Sequence, residues 1–90
     1  MRQLTKEEAI KLSETEFWLD MSKTDIAKFQ FNQECLCMPF HIFHAAVEQT
    51  VGYSVFTHEF ATRYEELKEA INKSGMPDFK KIFELVGDIS

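Results

Sequence analysis

Two cysteines and three histidines supply the chain's nucleophilic and metal-binding side chains. Four of the five, Cys35, Cys37, His41 and His44, fall within ten consecutive positions, with His58 further along. His41 and His44 are three apart, so on a helix they would share a side. With Cys37 as a thiolate they could offer zinc its preferred nitrogen and sulfur ligands. The spacing lacks the loop that lets four ligands converge, so no metal is expected; the plainer reading is packed or solvated imidazoles beside free thiols. A thiol–imidazole pair would make a nucleophile. No glycine-rich turn ahead of a helix offers it an oxyanion hole, and no catalytic residue is assigned. Glu65 and Glu66 belong to a polar helix face, and Glu7 and Glu8 to a helix start, where the dipole favours them. No carboxylate lies in an apolar run that would raise its pKa, so acid–base chemistry has no candidate pair. Gly52, Gly75 and Gly87 follow helical stretches as stops rather than forming a phosphate loop. A nucleotide is left only an oligomer interface, where Arg63, Lys68 and a Phe or Tyr would hold it.

The elements that must position these groups follow from periodicity and caps. Thr5 and Glu8 form a capping box, and a helix should run to about Asp20, with Ile10, Phe17 and Met21 on one face and Leu12, Trp18 and Leu19 off it. Ser22–Asp25 breaks it and opens a new cap. Phe29-Gln30-Phe31 alternates like a strand and Leu36-Cys37-Met38 could pair with it, so Phe29–Met38 is expected to be a short hairpin, with a helical turn as the alternative. Pro39 suits a helix start, Gly52 a helix stop, and Phe40, Phe43, Val47 and Val51 make the inward stripe between them. His41, His44 and Glu48 lie on an adjoining strip. Tyr53–Phe56 is β-prone. Thr57 can cap the next helix, with Phe60, Tyr64, Leu67 and Ile71 inward. Ser74-Gly75 ends that helix, and Pro77-Asp78 opens a last one with Phe79, Ile82, Phe83 and Val86 inward and Gly87 closing it. The expected fold class is mainly α, about four helices, or α+β if the hairpin or a strand pair forms.

Composition sets the outer bounds. Ninety residues with 15 acids, 10 bases and a formal charge of -5 suit a single compact domain over residues 1–90. Hydrophobic residues at 44% and charged residues at 28% are the balance of a soluble globular chain. No apolar stretch approaches the ~20 residues of a membrane span. The start, Arg2 to Glu8, has charge where a signal peptide has its apolar core, which points to the cytoplasm and to free thiols. The scattered bases and the net negative charge argue against nucleic acid as a partner, because phosphate binding needs a clustered basic surface. A helix pair, Pro39–Gly52 followed by Thr57–Lys73, would carry Glu59, Glu65, Glu66 and Glu69 towards phosphates that repel them.

Nine phenylalanines in 90 residues exceed what a stripe or two requires. Phe17 and Trp18 are neighbours and cannot both face inward on a helix, which leaves Trp18 at the core's edge, near Glu14 and Asp20. Tyr53, just past a glycine stop, is the other expected exposed ring. An aromatic anchor among acids fits an interface with a basic protein partner, and a homodimer could cover any apolar patch.

Phe29-Gln30-Phe31, Cys35-Leu36-Cys37, the helix from Pro39 to Gly52 and above all Val55-Phe56-Thr57-His58-Glu59-Phe60 resemble a family of short phage and prophage proteins of unassigned function. The sequence differs from the family pattern in lacking a glycine near Gln33-Glu34 and in having Ala61 where proline is usual. The resemblance implies a phage origin and the host cytoplasm, and makes a small acidic protein that binds and modulates or inhibits a host defence or regulatory protein the expected function. The alternative class is a small-ligand, nucleotide or metal-binding protein with its site at an oligomer interface.

Overall fold

A computed structural model describes residues 2–89. Among these residues six α-helices follow one another: α1 Lys6–Glu14, α2 Lys23–Phe31, α3 Phe40–Val51, α4 Glu59–Thr62, α5 Tyr64–Asn72 and α6 Lys80–Ile89, with a 3-10 turn at Phe17–Asp20. No strand occurs among the described residues. The fold is mainly α, as expected. The hairpin, the strand pair and the four-helix count are corrected.

The capping box opens α1: Glu8 N donates to Thr5 Oγ1 at 3.1 Å and Thr5 N to Glu8 Oε1 at 3.0 Å. The helix stops at Glu14 rather than near Asp20, because Glu16 takes a left-handed conformation (φ 53°) that cannot continue it. The re-phased chain buries Ala9, Leu12 and Phe17 and leaves Ile10 52% exposed. The expected Ile10–Phe17–Met21 face therefore does not form.

Helix α2, capped by Ser22 Oγ accepting from Asp25 N, is buried all round from Ile26 to Phe31. Its two phenylalanines seed two aromatic clusters. Phe29 meets Phe17 and Phe79 at centroid distances of 5.7 and 5.2 Å, and Phe31 meets Phe43 and Tyr64 at 4.9 and 5.2 Å. Lys28 lies along the same helix with its stem covered, and its ammonium donates to Ser74 Oγ at 2.7 Å.

Three glutamines explain why Phe29–Met38 is a helix end and a turn. Buried Gln30 accepts from Cys37 N (2.7 Å) and donates to Cys35 O (2.9 Å). Gln3 accepts from Glu34 N (2.8 Å) and donates to Asn32 O (2.7 Å). Buried Gln33 accepts from Leu4 N (2.9 Å) and donates to Arg2 O (2.7 Å). Main-chain groups must find partners, and here side-chain amides take the places a second strand would fill.

Helix α3 runs as expected and ends at Gly52 (φ 83°), a left-handed position natural to glycine. Its inner face is Phe43, Ala46 and Val47, while Phe40 at the first turn is 38% exposed. Tyr53–Phe56 is irregular, not a strand. Val55 is buried, with its N–H on Glu48 Oε2 (2.9 Å) and its carbonyl accepting from His44 Nε2. The helix expected from Thr57 onward is split into α4 and α5 at Arg63, whose φ is −122°. The last helix begins at Lys80 after a left-handed Phe79 (φ 53°) and runs past Gly87, which does not close it. No helix is long and apolar enough to cross a membrane among the described residues.

Candidate interaction surface

The cysteines and histidines singled out by spacing are taken apart by the fold. Cys37 is fully buried, its thiol pushed up to about 12 by burial and, less, by the charge of Cys35; its Sγ lies 3.3 Å from Cys35 O. His41 is exposed on α3. His44 is half-buried, its Nε2–H committed to Val55 O with Glu48 Oε2 3.6 Å away. His58 is exposed and stacks on Phe56, centroids 5.8 Å apart. No group of three or more metal-ligating side chains converges among the described residues. His44 and Cys37 thus serve the fold, one clasping the Val55 loop to α3 and the other filling the core.

The expected anchors lie on separate parts of the molecule. Trp18 is half-buried, edge-on to Phe17 at 5.6 Å, in the Phe17–Phe29 cluster. Glu14 and Asp20 beside it are exposed, and so is Leu19, at 70%. Tyr53 is 47% exposed, but its ring is faced by Arg63, whose Nη2 donates to Tyr53 Oη at 3.3 Å. Arg63 also bonds Glu59 and Glu66, and these bonds hold its guanidinium above its already high value. Glu66 is lowered by Arg63; Glu59 is lowered first by Phe56 N, which donates to it, then by Arg63. Tyr53 therefore stands in a basic-and-acidic network, and Lys68, the other proposed nucleotide contact, has its Nζ 5.9 Å from the Tyr64 ring centre.

A feature the sequence reading missed is a shallow groove of about 360 Å³ between the α2–α3 turn, α3 and α5. Gln30, Phe43 and Tyr64 contribute its inner surface, with Leu36, Phe40 and Glu34 at its exposed edge. Leu36 is 49% and Phe40 38% exposed. The inner surface is fixed before any partner arrives: both ends of the Gln30 amide are bonded, and Tyr64 Oη donates to Phe31 O at 2.8 Å. The available signal was Leu36 beside Pro39-Phe40, two large apolar residues bracketing a helix start, where an inward stripe has only begun. A larger depression of about 850 Å³ follows α5 past Glu65, Glu66 and Glu69, but α5 and its capping Lys73 supply all its lining, so it is an open face rather than a cleft between elements. No protein family, curated protein or solved structure matches this chain.

Proposed function

We propose that this chain is a small non-enzymatic interaction module that binds a protein partner through the Leu36–Phe40 groove. The observation that supports it is the pair of large apolar side chains left open at the edge of a groove whose inner surface is already bonded in place. Preorganisation lowers the ordering cost of association, and side chains that a partner fully desolvates carry most of an interface's energy. In the phage setting that the resemblance of the Val55–Phe60 tract implies, the partner is a host defence or regulatory protein whose action the complex modulates or inhibits.

Affinity capture from a bacterial lysate tests this with native, Leu36→Asp and Trp18→Ala baits, each first checked for native circular dichroism. The expected result is one protein retained by the native and Trp18→Ala baits and lost with Leu36→Asp. Loss with Trp18→Ala alone moves the contact to the Trp18–Leu19 corner, with Glu14 and Asp20 as its acidic surround. Catalytic turnover of a metabolite by the purified protein, abolished by a single thiol or imidazole substitution, would refute the non-enzymatic reading.

A further inference from the structure

The groove has a charge pattern as well as a shape. Glu34 stands at its edge, and Glu65, on the open face of α5, follows Tyr64 in the first turn of that helix. Among the described residues neither carboxylate forms an ion pair, whereas Glu8, Glu59 and Glu66 all do. Both act on Tyr64, whose phenol is raised first by burial and then by the charges of Glu65 and Glu34. The Lys68 ammonium also lies by Tyr64, 5.9 Å from its ring centre, one cation beside two carboxylates. The whole chain adds to the field with a formal charge of -5. In size the groove stands near the lower end of ligand clefts, ~300–1,000 Å³, enough for one or two side chains and too small to seat a helix.

Resting on the interaction reading above, we infer that the groove takes a short extended segment of a partner protein in which an apolar side chain is flanked by lysine or arginine. The apolar group seats between Leu36 and Phe40, and the cation pairs with Glu34 or Glu65. Pairs at such an edge are solvated, so they set partner choice and encounter rate more than affinity, and salt weakens them.

Selection of a random-peptide display library on the purified native protein tests the chemistry directly. The selected peptides are expected to carry Lys or Arg beside Leu, Ile, Phe or Met, and in solution to shift the NMR signals of Leu36, Phe40 and Tyr64. Glu34→Gln and Glu65→Gln should each weaken them about two- to five-fold, and Leu36→Asp more than tenfold. Neutral or acidic peptides that still shift those signals would overturn the basic-segment inference while leaving the interaction reading standing. So would basic peptides indifferent to both Gln variants. Peptides bound equally well by Leu36→Asp would overturn both, as would the absence of any selected binder. A dimer that Leu36→Asp dissociates, seen by sedimentation, would assign the groove to a second copy and overturn the inference as well.

Discussion

Replacing Gln30 should loosen the turn that frames the groove, by an amount the geometry sets. Gln30 is 5% exposed and spans the turn with two bonds, to Cys37 N at 2.7 Å and Cys35 O at 2.9 Å. Gln30→Met keeps the bulk and removes both. Each bond contributes ~0.5–1.5 kcal/mol, and the buried Cys37 N–H left without an acceptor costs a further ~1–3 kcal/mol. The expected loss is ~2–6 kcal/mol from the ~5–15 kcal/mol of a domain, or roughly 10–30 °C in Tm at this chain length. Urea unfolding followed by circular dichroism measures the loss, and native-state hydrogen exchange should show Cys37 N–H deprotected. Gln30→Glu separates the bonds from the bulk. Protonated, its carboxyl donates to Cys35 O and accepts from Cys37 N as the amide does; ionised, it has no donor and buries a charge facing a carbonyl. Its folded pKa is therefore raised above the unfolded ~4.3. The associated stability is fully present below ~4.3 and is lost as pH rises through the folded value. A Gln30→Met loss below ~0.5 kcal/mol, against the ~1–3 kcal/mol of two bonds, or a Gln30→Glu profile parallel to the native one, would refute the bridge.

Four further outcomes are expected. Under native conditions Cys35, half-buried, should react with a thiol reagent while Cys37 reacts only as the chain unfolds; equal rates would contradict the burial that raises Cys37. Because Cys37 is raised to about 12 in the fold, its contribution is present below its unfolded value of ~8.5 and is lost as pH climbs towards the folded one, a destabilisation that Cys37→Ala should remove from alkaline melts. Phe29→Ala, which empties the junction of Phe17, Phe79 and Phe83, should cost ~3–5 kcal/mol in urea unfolding, against near zero for Phe56→Ala, whose ring is 65% exposed. The lowered pKa values of Glu59 and Glu66 mean that their stabilisation is present above ~4.3 and is lost as pH falls through their lower folded values. Arg63→Gln should flatten that acid limb, more so in low salt, and an unchanged slope would show that the network carries no linked stability.

What the sequence disclosed depended on how local each cause was. The Thr5–Glu8 box joins positions three apart, and the Gly52 stop rests on a single residue's left-handed backbone. Both could be read from the chain because no distant group takes part. Phe29–Met38 misled for the opposite reason. A helix covered on every side loses its 3.6-residue stripe, so Phe29-Gln30-Phe31 shows only an alternation that also suits a strand. What settles the segment is amide pairing between Gln3, Gln33 and main-chain groups about thirty positions away, which no spacing rule registers. The end of α1 turns on Glu16 at φ 53°, a residue with no special claim to that conformation, so Ile10 and Leu12 exchanged their expected places. The Cys–His proximity in sequence likewise dissolved once Cys37 went to the core and His44 to Val55 O.

The groove and the misread turn share one cause. Leu36 lies between Cys35 and Cys37, the two residues that Gln30 holds, and Phe40 begins the helix that follows them. The amide that keeps the segment from pairing as a strand also fixes where its apolar side chains emerge. Stability and recognition are then coupled through Gln30: at temperatures where Gln30→Met is still folded, a loosened turn should weaken peptide binding at Leu36 and Phe40 although Gln30 itself presents almost no surface. Trp18→Ala, on the other aromatic cluster, should lose stability without that change in affinity. A binding constant that stayed level in Gln30→Met while its Tm fell would mean that the groove's shape is set by α3 and α5 alone.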